Sequence, residues 1–222
     1  MPIDPPPRRD RDAARGATTK FVFDFGGVLF RWQPVQLLRR VLPRQAADET
    51  AAQRLADDIF QGYGGDWGEF DRGTLGVPEL VRRIAARTGL LPQEVRSVVD
   101  AVPGELQPIP ETVALLRRLH AEGRRLHFLS NMPHPYADHL EREHAFVGWF
   151  ESGVFSARVQ HIKPEPGIFD LAARRFQEDP AQLVFIDDVL GNVQAARSRG
   201  WNALHFVDAV DCETQLRAEG WI

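Results

Sequence analysis

A single cysteine, Cys212, is present among 222 residues, so no internal disulfide can form and a reducing, cytoplasmic setting is the default. No apolar run approaches the roughly 20 residues that a membrane-spanning helix requires. The stretch from Met1 to Thr18, which holds Pro5-Pro-Pro-Arg-Arg-Asp-Arg-Asp, also lacks the apolar core of a signal peptide and is predicted to be a disordered leader. A basic excess is missing as well. Lys and Arg number 27 against 31 Asp and Glu, a net charge of −4, which gives no field for nucleic acid. The seven histidines show no metal-binding spacing. There is no internal repeat and no low-complexity tract. What remains is a soluble chain, long enough for one well-buried α/β domain with a small insertion.

Against that background, Phe21-Val-Phe-Asp-Phe-Gly-Gly-Val-Leu-Phe30 stands out. Its aromatic and β-branched start fits a strand buried on both faces, and Gly26 and Gly27 break it where a ligand could reach backbone. Asp24 therefore sits at a strand's carboxyl end, where open α/β sheets bind ligands. Three other segments have the same character. Leu126-His-Phe-Leu-Ser-Asn131 is an apolar run ending in a hydroxyl and an amide, both able to donate to an anion. Gln160-His-Ile-Lys-Pro-Glu-Pro-Gly167 sets the compact cation Lys163 before a helix start. Leu183-Val-Phe-Ile-Asp-Asp-Val-Leu-Gly-Asn192 is a third apolar strand, ending in the paired carboxylates Asp187 and Asp188.

About a hundred residues separate the first two segments, far more than one crossover helix needs. Helical periodicity fills the gap over Gln45 to Phe60, Pro78 to Thr88 and Pro92 to Val99, with no strand pattern, so residues 34–102 are predicted to form a helical insertion. The glycine-rich Gln61-Gly-Tyr-Gly-Gly-Asp-Trp-Gly68 reads as a loop between its helices, a candidate for substrate gating. Residues 19–33 and 103–222 are left for the core. There, helix and strand alternate: Pro110 to His120, Arg125 to Leu129, Tyr136 to His144, Val154 to Val159, Pro164 to Phe176, Leu183 to Asp187, Val193 to Ser198 and Ala203 to Phe206. The pattern predicts a doubly wound parallel sheet.

Taken in order, the four segments resemble the motifs of the haloacid dehalogenase-like (HAD) hydrolase superfamily. The resemblance extends over Phe21 to Asn192. It is closest to the phosphatase branch whose first motif is Asp-x-Gly, and is similar to bacterial sugar-1-phosphate phosphatases and to the amino-terminal phosphatase domain of soluble epoxide hydrolase. It implies a Rossmann-like core with an α-helical cap over residues 34–102, and a phosphatase acting on a small phosphorylated metabolite, such as a sugar phosphate, through an aspartyl-phosphate on Asp24. Mg²⁺ would be held by Asp24, the Gly26 carbonyl and Asp188, with Asp187 behind them or on a metal-bound water. Ser130, Asn131, Lys163 and the Gly27 amide would hold phosphoryl oxygens. One position departs from the pattern. Most superfamily phosphatases carry a second aspartate two residues after the nucleophile as general acid, and this chain has Gly26. Asp66, in the cap loop with Trp67, is the expected substitute and the expected reader of the substrate. Two other readings stay open: a metal-independent 2-haloacid dehalogenase, which the Asp187–Asp188 pair argues against, and a binding protein without catalysis.

Overall fold

The computed structural model describes residues 19–222, so the leader lies outside the described residues. Five parallel strands, β1 (Lys20–Phe23), β2 (Leu126–Ser130), β3 (Ser152–Phe155), β4 (Leu183–Asp187) and β5 (Asn202–His205), lie side by side in the order β3-β2-β1-β4-β5. Register places Phe21 between Leu126 and Val184, and Phe23 between Phe128 and Ile186. Because alternate residues of a strand face opposite ways, Phe21, Phe23, Phe128 and Ile186 join one buried cluster, whereas Val22, Leu129 and Phe185 join a second on the other face. Sheets covered on both faces have strands apolar throughout, which is what these runs are. Each buried phenylalanine contributes roughly 1.5–3 kcal/mol.

The chain runs from β1 outward to β3, then crosses to the far side of β1 for β4 and β5. The order therefore reverses between β1 and β4, and there the loops beyond the carboxyl ends part into a crevice. The helices flanking the sheet are α6 (Pro110–Ala121), α7 (His134–Glu143), α9 (Pro166–Phe176), α10 (Leu190–Ser198) and α11 (Ala209–Ala218). The predicted strand over Val154 to Val159 is corrected: β3 ends at Phe155, and Ser156–Val159 forms a helical turn, α8. The Ser156 hydroxyl is drawn into this turn by contacts described below.

Between β1 and α6 come five helices and no strand: α1 (Pro34–Val41), α2 (Glu49–Phe60), α3 (Gly65–Arg72), α4 (Val77–Thr88) and α5 (Pro92–Glu105). The glycine-rich segment read as a loop is a 3₁₀ turn, Gln61–Tyr63, leading directly into α3. The two connections between this helical unit and the sheet run antiparallel. Arg31 N–H donates to Gln107 and Ile109 N–H to Leu29, at 2.8 Å each. None of the described helices is long and apolar enough to cross a membrane.

Candidate active site

Every charged group that the motifs supply converges on the crevice at the strand reversal. Asp24 follows β1, its N–H bonded to the Ile186 carbonyl of β4 at 3.0 Å, which fixes it across the switch point. Lys163 Nζ lies 2.9 Å from Asp24 Oδ2 and 2.6 Å from Asp187 Oδ2. Asp187 is fully buried and further bound by Val189 N–H at 2.8 Å and by Asn192 Nδ2 at 3.0 Å. Its oxygens are thus committed to holding Lys163 and the β4 turn. Ser130, at the end of β2, is 1% exposed and its Oγ has no partner, although it lines the same cavity.

Asp24, Asp187 and Asp188 each offer an oxygen, all within 4.8 Å of one another. Burial, only partly offset by Lys163, raises the Asp24 carboxyl to about 7. Burial and the adjacent Asp187 raise Asp188 to about 6. Burial also works against the Lys163 charge, but Asp187 and Asp24 outweigh it and hold that ammonium above its ordinary value. Three carboxylates against one ammonium leave the cluster two charges short, and oxygen donors at this spacing suit a divalent cation such as Mg²⁺. The Gly26 residue, whose carbonyl is a further candidate ligand, also lines the cavity.

The glycines of the first motif do different jobs. Gly27 has φ +77°, and a Cβ there would lie 2.2 Å from Asp188 Oδ2, so only glycine lets the second acid close over the first. Its amide, expected on a phosphoryl oxygen, instead donates to the Phe30 carbonyl at 2.8 Å, because the chain turns tightly there. Gly26 needs no positive φ, and a Cβ would meet only the Trp32 Cβ, at 3.9 Å. Asn131 is also reassigned. Its amide spans the Lys163 backbone, accepting from Lys163 N–H at 2.8 Å and donating to the Lys163 carbonyl at 3.0 Å, so it positions the lysine.

Above the acids, a cavity of about 470 Å³ is roofed by the inserted helices. Trp32, Tyr63, Trp67, Val102, Leu106, Met132, Tyr136 and Ile162 make most of its wall. Trp67 is in the wall as expected, set edge-on to Phe60 and Phe70. Trp32 Nε1 donates to the Tyr63 hydroxyl at 2.7 Å, which occupies two of the few polar groups there. Asp66 is not in this wall. It points to the outer face of α3, 3.4 Å from Arg87 Nε and 3.6 Å from Arg83, since the helix turns adjacent side chains about 100° apart. The acid that does line the cavity from α3 is Asp71, 5% exposed. Burial, only partly countered by Lys163, raises it to about 8. Sequence reading passed over Asp71, yet it follows Trp67 by four residues and Gly64, another lining residue, by seven. That spacing marks one helix face.

A model of the haloacid dehalogenase-like hydrolase family matches residues 20–200. Sesquiterpene phosphatase astK of Aspergillus oryzae is 26% identical over 197 residues, 88% of this chain and 93% of that protein. Phosphoglycolate phosphatase of Salmonella paratyphi A is 28% identical over 134 residues, 58% of this chain; the matched part spans about half (52%) of that relative. Among solved structures, the magnesium complex of the HAD family enzyme bt-2542 from Bacteroides thetaiotaomicron aligns with TM-score 0.67 at 19% identity, over 90% of this chain and 98% of that one. The L-2-haloacid dehalogenase RSc1362 aligns with TM-score 0.68 at 20% identity over the same shares, 90% and 98%, so these structural likenesses speak for the fold alone.

Proposed function

The chain belongs to the haloacid dehalogenase-like hydrolases, and on that premise we propose that it is a Mg²⁺-dependent phosphatase of small phosphate monoesters whose organic part is apolar or aromatic. Its phosphatase-named relatives support the reaction class. One observation carries the phosphoryl site: the buried, unpartnered Ser130 hydroxyl on the same cavity floor as Lys163, which is clamped between Asp24 and Asp187. A buried donor without a partner costs roughly 1–3 kcal/mol, and a phosphoryl oxygen would satisfy it. The Asp187–Asp188 pair, beside Asp24 at a spacing that suits a divalent cation, favours this reading over a metal-independent dehalogenase.

In this reading, Asp24 attacks phosphorus and the leaving oxygen departs opposite it, giving an aspartyl-phosphate that water then hydrolyses. Ser130 and Lys163 hold the phosphoryl oxygens, Lys163 by charge, with its position set by Asn131 and Asp187. Asp24, Asp188 and the Gly26 carbonyl would hold Mg²⁺, with Asp187 behind them. The bound ion would neutralise phosphoryl charge and favour the ionised nucleophile.

The wall supports an apolar substrate. A sugar needs several side-chain partners, and this wall offers mostly aromatic and aliphatic surface, with the Trp32 N–H already donated to the Tyr63 hydroxyl. The Aspergillus oryzae relative, a sesquiterpene phosphatase, points the same way. A reducing, cytoplasmic setting belongs to the same reading and rests on the single cysteine, which can form no internal disulfide. Purified protein should release phosphate from 4-nitrophenyl and prenyl phosphates with Mg²⁺ and not with EDTA, and the Asp24→Asn variant should be inactive. Turnover that survives EDTA, or an Asp24→Asn variant within tenfold of wild type, would refute the mechanism. A preference for sugar phosphates would refute the substrate class alone.

A further inference from the structure

The floor of the site can neutralise a phosphoryl group, but its acids are taken up by Lys163 or by the cation they would hold, which leaves none to give the departing oxygen a proton. Lys163 is held by two carboxylates that keep its proton in place, Gly26 has no side chain, and Asp187 is consumed by Lys163, Asn192 and Val189. From the roof, one carboxyl reaches into the cavity without a hydrogen bond or ion pair to any of the described residues: Asp71. Its backbone is tied to the core. The Ser156 hydroxyl donates to the Asp71 carbonyl at 2.5 Å and accepts from Met132 N–H at 2.8 Å. Arg72 pairs with Glu165 on the loop that carries Lys163. Gly73, at φ +79°, brings α3 so close to α8 that a Cβ would lie 2.6 Å from the Ala157 carbonyl oxygen. These contacts fix the end of α3 against the core and hold one carboxyl in the roof of the cavity.

We propose that Asp71 is the general acid and base of this enzyme, acting from the inserted helices on the leaving oxygen. The inference rests on the phosphatase reading above. As Asp24 Oδ bonds to phosphorus, the P–O ester bond breaks, its electron pair stays on the ester oxygen, and the Asp71 proton moves to that oxygen to release the alcohol. Asp71, now a carboxylate, takes a proton from the incoming water. The hydroxide so formed bonds to phosphorus, and the bond to Asp24 breaks with its electrons returning to Asp24. Inorganic phosphate leaves, and both carboxyls regain their starting states.

The charged and titratable groups facing Asp71 are Lys163 and Asp24 on the floor and the Tyr63 and Tyr136 phenols beside it. Both phenols are pushed up by burial, which makes them weaker acids than Asp71, and the Tyr136 hydroxyl already donates to the Val99 carbonyl. Burial keeps the Asp71 proton in place to about pH 8, which suits an acid working near neutrality.

The test is a series of aryl and alkyl phosphates of graded leaving-group pKa, assayed with Mg²⁺ across pH for wild type, Asp71→Asn and the double variant Asp71→Asn with Gly26→Asp. Asp71→Asn should lose about 10² to 10⁴ in kcat on alkyl esters and at least tenfold less on 2,4-dinitrophenyl phosphate. Its leaving-group dependence should steepen, and the alkaline decline of wild type should disappear. An acid at the open Gly26 position, beside the nucleophile, should make the dependence shallow again. Equal losses on all esters with an unchanged pH profile, from a variant whose melting curve shows it folded, would overturn the proposal. A wild-type enzyme inactive on every ester would overturn the phosphatase reading itself.

Discussion

Replacing Asp71 by Asn should stabilise the apo-protein, and the gain should depend on pH. The carboxyl ionises near its ordinary 3.8 in the unfolded chain and near about 8 in the folded one. The sign is opposite to that of a salt-bridged aspartate. Well below pH 3.8, both states carry the proton and the group is neutral to stability. As pH rises from about 4 to 8, the unfolded chain gains by ionising while the folded chain does not, so wild type loses stability by about 1.4 kcal/mol per pH unit. Above pH 8 the loss is complete. Carried across that window, this gives a ceiling of about 6 kcal/mol. Asparagine matches the shape of the protonated acid and does not titrate. Urea unfolding in EDTA should therefore find the variant about 1 kcal/mol more stable than wild type at pH 4.5 and several kcal/mol more stable at pH 8.5, up to that ceiling. An equal difference at both pH values, or a variant less stable at pH 8.5, would refute the burial argument.

Lys163→Met removes the one cation from between Asp24 and Asp187 and should cost about 3–5 kcal/mol at pH 8. Mg²⁺ should recover part of it, and a loss under 1 kcal/mol in EDTA would contradict the clamp. Gly27→Ala drives a methyl into the Asp188 carboxylate, so calorimetric Mg²⁺ affinity should fall about tenfold or more; unchanged affinity would move the metal site away from Asp188. Asp66→Ala should leave kcat and KM within twofold on all esters, since its carboxylate serves Arg83 and Arg87. Trp67→Ala should raise KM for prenyl phosphate far more than for phenyl phosphate, and parallel changes would make Trp67 structural only.

The residues that carry charge on the floor were legible because strand and function share one sequence signal. An apolar run long enough to cross the sheet ends where the chain leaves the core, and the first polar residues there, Asp24, Ser130 and Asp187, face the crevice. What those residues do to each other was harder to read. Asn131 and the Gly27 amide looked like anion ligands by type, but the backbone geometry of the Lys163 loop and of the turn to Phe30 uses them first. The roof was misread for a different reason. Glycines at 62, 64 and 65 suggested a loop, and in a loop Asp66 and Trp67 can face together. In the helix that begins at Gly65 they cannot, and Asp71, one turn beyond Trp67, takes the place assigned to Asp66.

The hydroxyl of Ser156 is one of several ties between the inserted helices and the core, and it grips the carbonyl of the very residue whose side chain lines the cavity above Asp24. Any lifting of the roof would break that bond and carry Asp71 away from the floor. In the phosphatase reading proposed above, such a state would leave Asp24 without the proton source that the closed form holds over it.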